Sequence, residues 1–224
     1  MKKTLLTTLT VAAMLVGLST AAHAQMLTIN EVYGGGGNAN APYTNDFIEL
    51  YNSGTTAINL GNYSLYYASA TGAFNTASAT LTTTLTGTIA PGSYYLVQEG
   101  GGTNGSALPT PNQTGVIQLS GTAGKVALAI TGSTITAANS TGVIDFVGYG
   151  TTASFFEGSG PAPAPSNTTS VSRVPGVDTN NNAADFTAGA PSPTAGAVPE
   201  PATYAYVAAG CGLLALVTRR RRVA

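Results

Sequence analysis

The sequence has few of the residue types on which most enzyme sites depend. Its 224 residues include one cysteine, one histidine, no tryptophan and only 8% charged residues. The histidine is His23 and the cysteine is Cys211, so the long segment between them contains neither. Ser-His-Asp and Cys-His catalysis, histidine-ligated zinc and disulfide bonds are therefore excluded for that segment.

Residues 1–24 have the three parts of a secretory signal peptide. Lys2 and Lys3 precede the mostly apolar LLTTLTVAAMLVGL, and small residues ending in AHA follow. This order is typical of a segment that directs export and is then removed by signal peptidase. We expect cleavage between Ala24 and Gln25, which places the remaining chain outside the cytoplasm.

The C-terminal end joins a short apolar segment to a cluster of arginines. Residues 202–218 carry no charge, and a helix of that length, at about 1.5 Å per residue, only just spans a hydrocarbon core about 30 Å thick. Arg219, Arg220, Arg221 and Arg222 follow and are typical of a cytoplasmic stop-transfer signal. We predict a single transmembrane helix over residues 202–218; a buried core helix is the alternative.

Pro199, Glu200 and Pro201 stand directly before this helix. The order of tripeptide, apolar helix and arginine cluster resembles the PEP-CTERM sorting signal. The resemblance implies that residues 199–224 form the signal, that an exosortase-type transpeptidase acts near the tripeptide, and that the helix is a temporary inner-membrane anchor. It also implies a Gram-negative bacterium in which the protein ends at the cell surface or in the extracellular matrix. Release and covalent attachment both stay open.

The body between these two ends, residues 25–198, is acidic but sparsely charged. It contains two basic residues, Lys125 and Arg173, and eight acidic ones, for a net charge of −6. Two cations cannot supply the phosphate contacts of a DNA- or RNA-binding surface. We therefore expect no nucleic-acid partner, and the length favours one domain.

Short segments rich in β-branched and aromatic residues recur along the body, bounded by Gly, Asn, Pro or Ser. They predict an antiparallel β-sandwich, and their sequences are MLTINEVY, DFIELYN, YSLYYAS, SYYLVQE, KVALAI and VIDFVGYG. In DFIELYN, Phe47, Glu49 and Tyr51 alternate with Ile48 and Leu50, so one face of the predicted strand is apolar and the other is mixed. We expect a flexible loop at GGGGNANAPYTN and a stiff, extended segment from Pro161.

Most of the body also resembles bacterial lamin-tail domains. The segments TINEVY, DFIELYNSG, INLGNYSLYY, PGSYYLV, GKVALA, VIDFVGYG and TTSVSRVPGVDTNNNAADF occur in that family's order over residues 27–187. The resemblance implies an all-β, immunoglobulin-like antiparallel sandwich without a catalytic residue set, in a family of binding, attachment or assembly modules. We assign residues 25–187 to the sandwich and residues 188–198 to a linker.

Two acids in predicted strands, Glu31 and Glu49, are the only candidates for a catalytic carboxylate pair of the glycosidase type. The alternative is that they cap strand edges or pair with Arg173, the single arginine of the body.

The stretch DTNNNAAD gives a candidate calcium site at Asp178, Asn180, Asn182 and Asp185. The first three have the oxygen-ligand spacing of an EF-hand loop, but Ala183 replaces the required glycine and Gly189 stands at the position of the bidentate glutamate. The alternative is an Asx-rich structural turn before the last strand. No other cofactor is implied.

Adjacent tyrosines occur in two predicted strands, Tyr66 with Tyr67 and Tyr94 with Tyr95. Since successive strand side chains point to opposite faces, one tyrosine of each pair should face outward. Outward tyrosines could serve as platforms for sugar rings, although exposed tyrosine is also ordinary on sheets.

The sequence thus predicts an exported, non-enzymatic structural or adhesive protein of the cell surface or matrix, sorted by an exosortase. The alternative is a carbohydrate- or calcium-binding module of the exopolysaccharide matrix. The expected partners are signal peptidase, the exosortase, the membrane before processing, and extracellular polysaccharide.

Overall fold

The computed structural model describes residues 26–196. The predicted signal peptide with its cleavage site at Ala24 and Gln25 lies outside this range. So does the sorting segment of residues 199–224, with its tripeptide, helix and arginines, and these assignments stay predictions. Over residues 26–196 no helix has the length and apolar character needed to cross a membrane.

The described chain is built almost entirely of short strands. A 3-10 turn follows the third strand at Leu60–Asn62, and a helix of one turn, α1, spans Asn182–Asp185. The strands are β1 (Leu27–Tyr33), β2 (Asn45–Asn52), β3 (Ile58–Asn59), β4 (Tyr63–Ser69), β5 (Thr82–Thr84), β6 (Thr88–Ile89), β7 (Tyr94–Gly101), β8 (Gln113–Thr114), β9 (Gly124–Ile130), β10 (Val143–Tyr149), β11 (Ser170–Arg173) and β12 (Phe186–Gly189). All six segments predicted from periodicity are strands, namely β1, β2, β4, β7, β9 and β10.

Two sheets face each other to form the predicted sandwich. The six-stranded sheet has the order β12-β11-β1-β2-β7-β8, and the four-stranded sheet has the order β10-β9-β4-β5. Neighbouring strands are antiparallel except β7 and β8, which are parallel. A small third ladder pairs β3 with β6.

The main core fills the space between the sheets. Alternate residues of each strand face inward, as Ile48 and Leu50 do on β2 and Val126 and Leu128 do on β9. Each large aliphatic side chain buried in this way contributes about 1.5–3 kcal/mol. The alternation predicted for β2 is confirmed, because Phe47 belongs to a separate cluster on the other face of the sheet.

Both outer faces of the sandwich are partly covered by connecting segments. On the six-stranded sheet, Tyr33, Phe47 and Leu96 pack with Leu108 and the partly buried Tyr43. On the four-stranded sheet, an outer cluster comprises Tyr66, Ala127, Ala129, Phe146 and Ile135. Residues that point away from the main core are therefore not automatically exposed.

The glycine-rich connection from β1 to β2 is an ordered part of the domain, which corrects the expectation of a flexible loop. Gly36 packs so closely against Asn45 that an added Cβ would lie 2.0 Å from its carbonyl carbon. The Gly36 amide donates to Asp46 Oδ1 at 2.8 Å, and the second carboxylate oxygen of Asp46 accepts from Leu119 N at 2.8 Å. These contacts fix the connection.

The proline-rich segment that begins at Pro161 adds to the edge of the four-stranded sheet. Ala162 is buried, its amide donates to the carbonyl of Gly148, and its carbonyl accepts from Gly150 N. Such ladder-type bonds need an extended backbone, in agreement with the expectation of an extended segment.

The predicted linker is also part of the folded structure as far as it is described. Ala188 and Gly189 pair with Val171 and Ser170 in β12, so the sandwich continues beyond residue 187. The next seven residues, 190–196, are called the C-terminal tail below. Pro193 and Gly196 of this tail are buried, which a free linker would not show.

Candidate functional site

A groove opens beside the start of β10 at the edge of the four-stranded sheet. It has a volume of about 520 Å³ and is lined by residues 137–140, residues 143–144, residues 155–158 and Asn180. This volume lies within the range of small-ligand sites, about 300–1,000 Å³. Its walls combine alanine, valine, isoleucine and phenylalanine side chains with polar ones, among them the carboxyl group of Glu157.

Phe155 supplies an aromatic surface at the groove and is held from below by a buried lysine. The side chain of Phe155 remains 37% exposed, whereas Lys125 has no exposed surface. Lys125 Nζ lies 4.8 Å from the centre of the Phe155 ring and donates hydrogen bonds to Gly72 O at 2.7 Å and Ser154 Oγ at 2.8 Å. Burial lowers the pKa of Lys125. The cation–π contact and the two hydrogen bonds fix the position of the ring.

Asn182 attaches the groove wall to β10. Its Oδ1 accepts from Gly148 N at 2.9 Å and Glu157 N at 3.2 Å, while its Nδ2 donates to Phe146 O at 2.9 Å and Glu157 Oε2 at 3.1 Å. Both ends of this buried amide are therefore used, as a buried polar side chain requires. The result is a rigid connection between α1, β10 and residues 155–158.

Beneath the groove wall, Arg173 is buried among three carboxyl groups. Its Nη2 donates to Asp145 Oδ1 at 3.0 Å and Oδ2 at 2.9 Å, and its Nη1 lies 2.9 Å from Asp178 Oδ1 in an ion pair that lacks hydrogen-bond geometry. The guanidinium also stacks on Phe186 at 4.4 Å. Oxygens of Asp145, Asp178 and Glu157 lie within 4.8 Å of one another. We call these four ionisable residues the arginine cluster.

Burial and mutual repulsion change the ionisation of the arginine cluster. Burial, and then the charges of Asp145 and Asp178, raise the pKa of Glu157 to about 8. Burial also raises the pKa of Asp145, and the charge of Arg173 opposes this effect. Although burial alone would lower the pKa of Arg173, Asp145 and Asp178 raise it, so the guanidinium stays charged. The cluster thus holds one fixed cation and a carboxyl group, Glu157, that is mostly protonated at neutral pH.

The four residues of the candidate calcium loop have separate roles in the structure. Asp178 pairs with Arg173, and Asn182 binds β10 and Glu157. Asp185 accepts from Thr179 N at 2.9 Å and Thr179 Oγ1 at 2.6 Å. Asn180 lines the groove. This arrangement corresponds to the structural-turn alternative, and a guanidinium stands beside the acids where a metal ion would bind.

A second group of buried acids lies on the outer face of the six-stranded sheet. Glu31 and Glu49 are directly opposite each other on β1 and β2. Neither contacts Arg173, which corrects that alternative. Burial raises the pKa of Glu49 to about 7. Hydrogen bonds from Thr194 and Asn30 lower this pKa, and the charge of Glu31 raises it further. We call these two residues the glutamate pair.

The C-terminal tail covers the glutamate pair. Ser192 donates from its amide to Glu31 Oε1 and from its hydroxyl to Glu31 Oε2, both at 2.9 Å, and Thr194 N donates to Glu49 Oε2 at 2.6 Å. Gly196 N then donates to Asn112 Oδ1 at 3.0 Å. An added Cβ at Gly196 would lie 1.9 Å from Tyr94 O, so only glycine fits here. The tail crosses the sheet from β1 to β7.

One tyrosine of each pair points away from the main core, as expected, but Tyr66 is covered and does not form an exposed platform. Tyr67 and Tyr95 belong to the main core. Tyr66 does point to the outer face, but the outer cluster covers it and its hydroxyl accepts from Gly132 N at 2.9 Å. Tyr94 is partly buried and packs on Tyr51 with ring centres 4.9 Å apart. Within residues 26–196, an exposed aromatic ring is found instead at Phe155, in the pair Phe155-Phe156, to which the strand periodicity did not point.

The surface of the described residues is almost free of charge. Lys125, Arg173 and six of the eight acids of residues 26–196 are buried. The other two, Glu157 and Asp185, are half-buried. Consequently the surface of this part of the chain consists of Ser, Thr, Asn, Gly and other uncharged residues, and it can attract ligands only weakly through long-range electrostatics.

The six-stranded and four-stranded sheets form an all-β sandwich, which is consistent with the immunoglobulin-like class. The sequence profile of the Lamin Tail Domain family matches residues 20–151. The chain therefore belongs to the lamin tail domain family, whose β-sandwich domains have binding or structural roles. No curated protein matches the chain.

Proposed function

We propose that this protein is an exported, non-enzymatic structural or adhesive component of the cell surface or extracellular matrix. The observation that carries the proposal is the uncharged surface of residues 26–196, in which the charged side chains are buried or half-buried. Such a surface suits contact with uncharged, hydrated polymers and gives no basis for binding nucleic acid or charged metabolites.

The position of the glutamate pair supports a non-enzymatic role. The two carboxyl groups lie directly opposite each other beneath the C-terminal tail, and hydrogen bonds from Ser192 and Thr194 occupy their oxygens. A glycosidase pair must instead flank a substrate and leave room for the scissile bond. We infer that Glu31 and Glu49 serve to hold the tail.

The docked tail also bears on the proposed sorting step. Gly196 is bound to the domain through Asn112, and Pro199 follows three residues later in the sequence. We propose that an exosortase-type enzyme acts on residues 199–201 close to the folded domain, with residues 202–218 as a temporary anchor and Arg219–222 as the stop-transfer signal.

A carbohydrate-binding module is the second candidate function, and the groove beside Phe155 favours it. It offers an exposed ring next to uncharged polar side chains. A calcium-binding role has less support, because Arg173 occupies the cluster formed by Asp145 and Asp178.

The intact mass of the protein from cells and from medium, in hosts with and without the exosortase, tests the main proposal. We expect a product lacking residues 1–24 and the segment after the tripeptide, found outside the cells only when the exosortase is present. A full-length tail in both hosts would disprove the sorting step.

A further inference from the structure

The groove beside Phe155 has a rigid floor and wall before any ligand binds. Lys125 holds the Phe155 ring, and Asn182 fixes residues 155–158 to β10. A site that is ordered in advance loses little conformational entropy on binding, which favours affinity from a small contact area. An ordinary mobile surface phenylalanine would lack this advantage.

The lining of the groove combines apolar surface with hydrogen-bonding amide groups. Phe155 and the alanines at 137 and 138 present apolar surface, whereas Asn139 and Asn180 are exposed amides at the same groove. Each amide offers both hydrogen-bond donors and acceptors. A pyranose ring has the matching pattern, with an apolar face of C–H groups and a rim of hydroxyl groups.

Charge restricts the class of ligand further. Glu157 is the ionisable residue in the lining, and its raised pKa keeps it mostly protonated at neutral pH. The cations nearby are buried and already paired, Lys125 with Gly72 and Ser154 and Arg173 with its acids. The groove therefore has no free cation for a phosphate, sulfate or uronate group.

We propose that the groove binds an uncharged sugar unit of a polysaccharide, with the ring stacked on Phe155 and its hydroxyl groups bonded to Asn139 and Asn180. This inference rests on the proposed surface or matrix role and specifies its ligand class. It replaces the tyrosines expected from the sequence with a different aromatic residue at a defined place in the fold.

Nuclear magnetic resonance titration of the protein recovered from the medium tests the inference. The probes are two neutral hexasaccharides, cellohexaose and laminarihexaose, and trigalacturonic acid as an acidic counterpart. We expect a neutral hexasaccharide to cause saturable shifts confined to the amides of residues 137–140, 155–158 and 180, and the acidic sugar to cause none.

Three variants separate aromatic stacking from general apolar contact. Phe155→Leu should weaken binding about tenfold, equivalent to about 1.4 kcal/mol. Phe155→Tyr keeps the ring and should retain the wild-type affinity, and Tyr94→Leu, on the other sheet, should change nothing. Because Phe155 is partly exposed, its replacement should leave the fold intact, which the unchanged remainder of the spectrum would verify.

Absence of saturable shifts with both neutral sugars, equal binding of the acidic sugar, or full affinity in Phe155→Leu would overturn the inference. Any of these results could coexist with correct processing in the mass experiment. Failure of the ligand assignment is thus distinguishable from failure of the proposed sorting and surface role.

Discussion

The two groups of buried acids in this domain are stabilised in different ways. In the arginine cluster, Asp145 and Asp178 face a cation, and the contacts are ion pairs of about 2.9 Å. In the glutamate pair, no cation is involved in the contacts of Glu31 and Glu49, which accept hydrogen bonds from Ser170, Asn30 and the tail. The first arrangement needs one specific side chain, whereas the second needs a covering segment of backbone.

The difference matters for what each region can do. The arginine cluster is self-contained within the sandwich, and it supports the wall of an open groove. The glutamate pair is complete only when residues 190–196 lie over it. One region is therefore a rigid support for a ligand site, and the other makes the stability of the domain depend on its own C-terminal segment.

The largest effect is expected from removing the cation of the arginine cluster. Arg173→Met leaves Asp145 and Asp178 buried without a counter-charge, so the free energy of unfolding should fall by about 3–5 kcal/mol, measured by urea denaturation at pH 7. Ser172→Ala, at the neighbouring half-buried position of β11, should stay within about 0.5 kcal/mol of the wild type. Similar small losses in both variants would mean that the ion pairs are not needed.

A smaller loss of stability is expected when one backbone N–H of the C-terminal tail is removed. Thr194→Pro removes the N–H that donates to Glu49 Oε2, and an unsatisfied buried acceptor costs about 1–3 kcal/mol. Hydrogen exchange of the Gly196 amide should accelerate in parallel. Thr194→Ala keeps the N–H and is the matched control. Equal destabilisation by both substitutions would argue against the amide contact.

The pH dependence of stability should report on the buried acids with raised pKa values, which include Glu49 of the glutamate pair and Glu157 of the arginine cluster. Burial is the main cause that raises the pKa values of Asp46, Glu49 and Glu99 to about 7. Their ordinary values are near 4, so the folded state binds more protons than the unfolded state between about pH 4 and pH 7. The free energy of unfolding should therefore decrease as the pH rises through this window, measured by denaturation from pH 5 to pH 8.

Glu49→Gln tests the contribution of the glutamate pair to this slope. Glutamine resembles the protonated acid, and Asn30 Oδ1, which is buried without a hydrogen-bond partner, can accept from the new amide after a flip of Asn30. The slope should become shallower by at most about 1.4 kcal/mol per pH unit, because one group binds one proton. A variant with the wild-type slope would show that Glu49 does not titrate in this range.

The smallest effect is expected from calcium. Asp178 and Asn182 already have protein partners, and a guanidinium lies beside the acids of the cluster. Millimolar calcium should leave the melting temperature unchanged in the wild type. A clear increase that disappears in Asp178→Asn would restore the calcium-loop hypothesis.

Strand periodicity was sufficient to predict the sandwich, because residue alternation directly reports which face of a sheet is buried. The same alternation places Asp145 on the inward face of β10 with Val147, so a buried acid in need of a partner could have been inferred. Tyr66 points to the outer face of its sheet and is nevertheless buried, because loops from distant parts of the chain cover that face. Phe155-Phe156 lies in a loop, where periodicity gives no signal.

The docked tail could not be predicted from its composition. Alanine, proline, serine and glycine are typical of a linker, and the bonds that fix the tail come largely from backbone amides. Their acceptors Glu31 and Glu49 lie 161 and 145 residues earlier in the sequence. Contacts of this kind depend on the complete fold and leave little trace in local sequence patterns.

The route of the tail across the six-stranded sheet has a mechanical consequence. A pulling force applied beyond residue 196 reaches the contacts at Gly196, Thr194 and Ser192 one after another before it reaches β12. Seven residues released in this way lengthen the connection by up to about 25 Å, at about 3.3–3.6 Å per residue. Release of the tail would therefore lengthen the connection and at the same time uncover the glutamate pair beneath it.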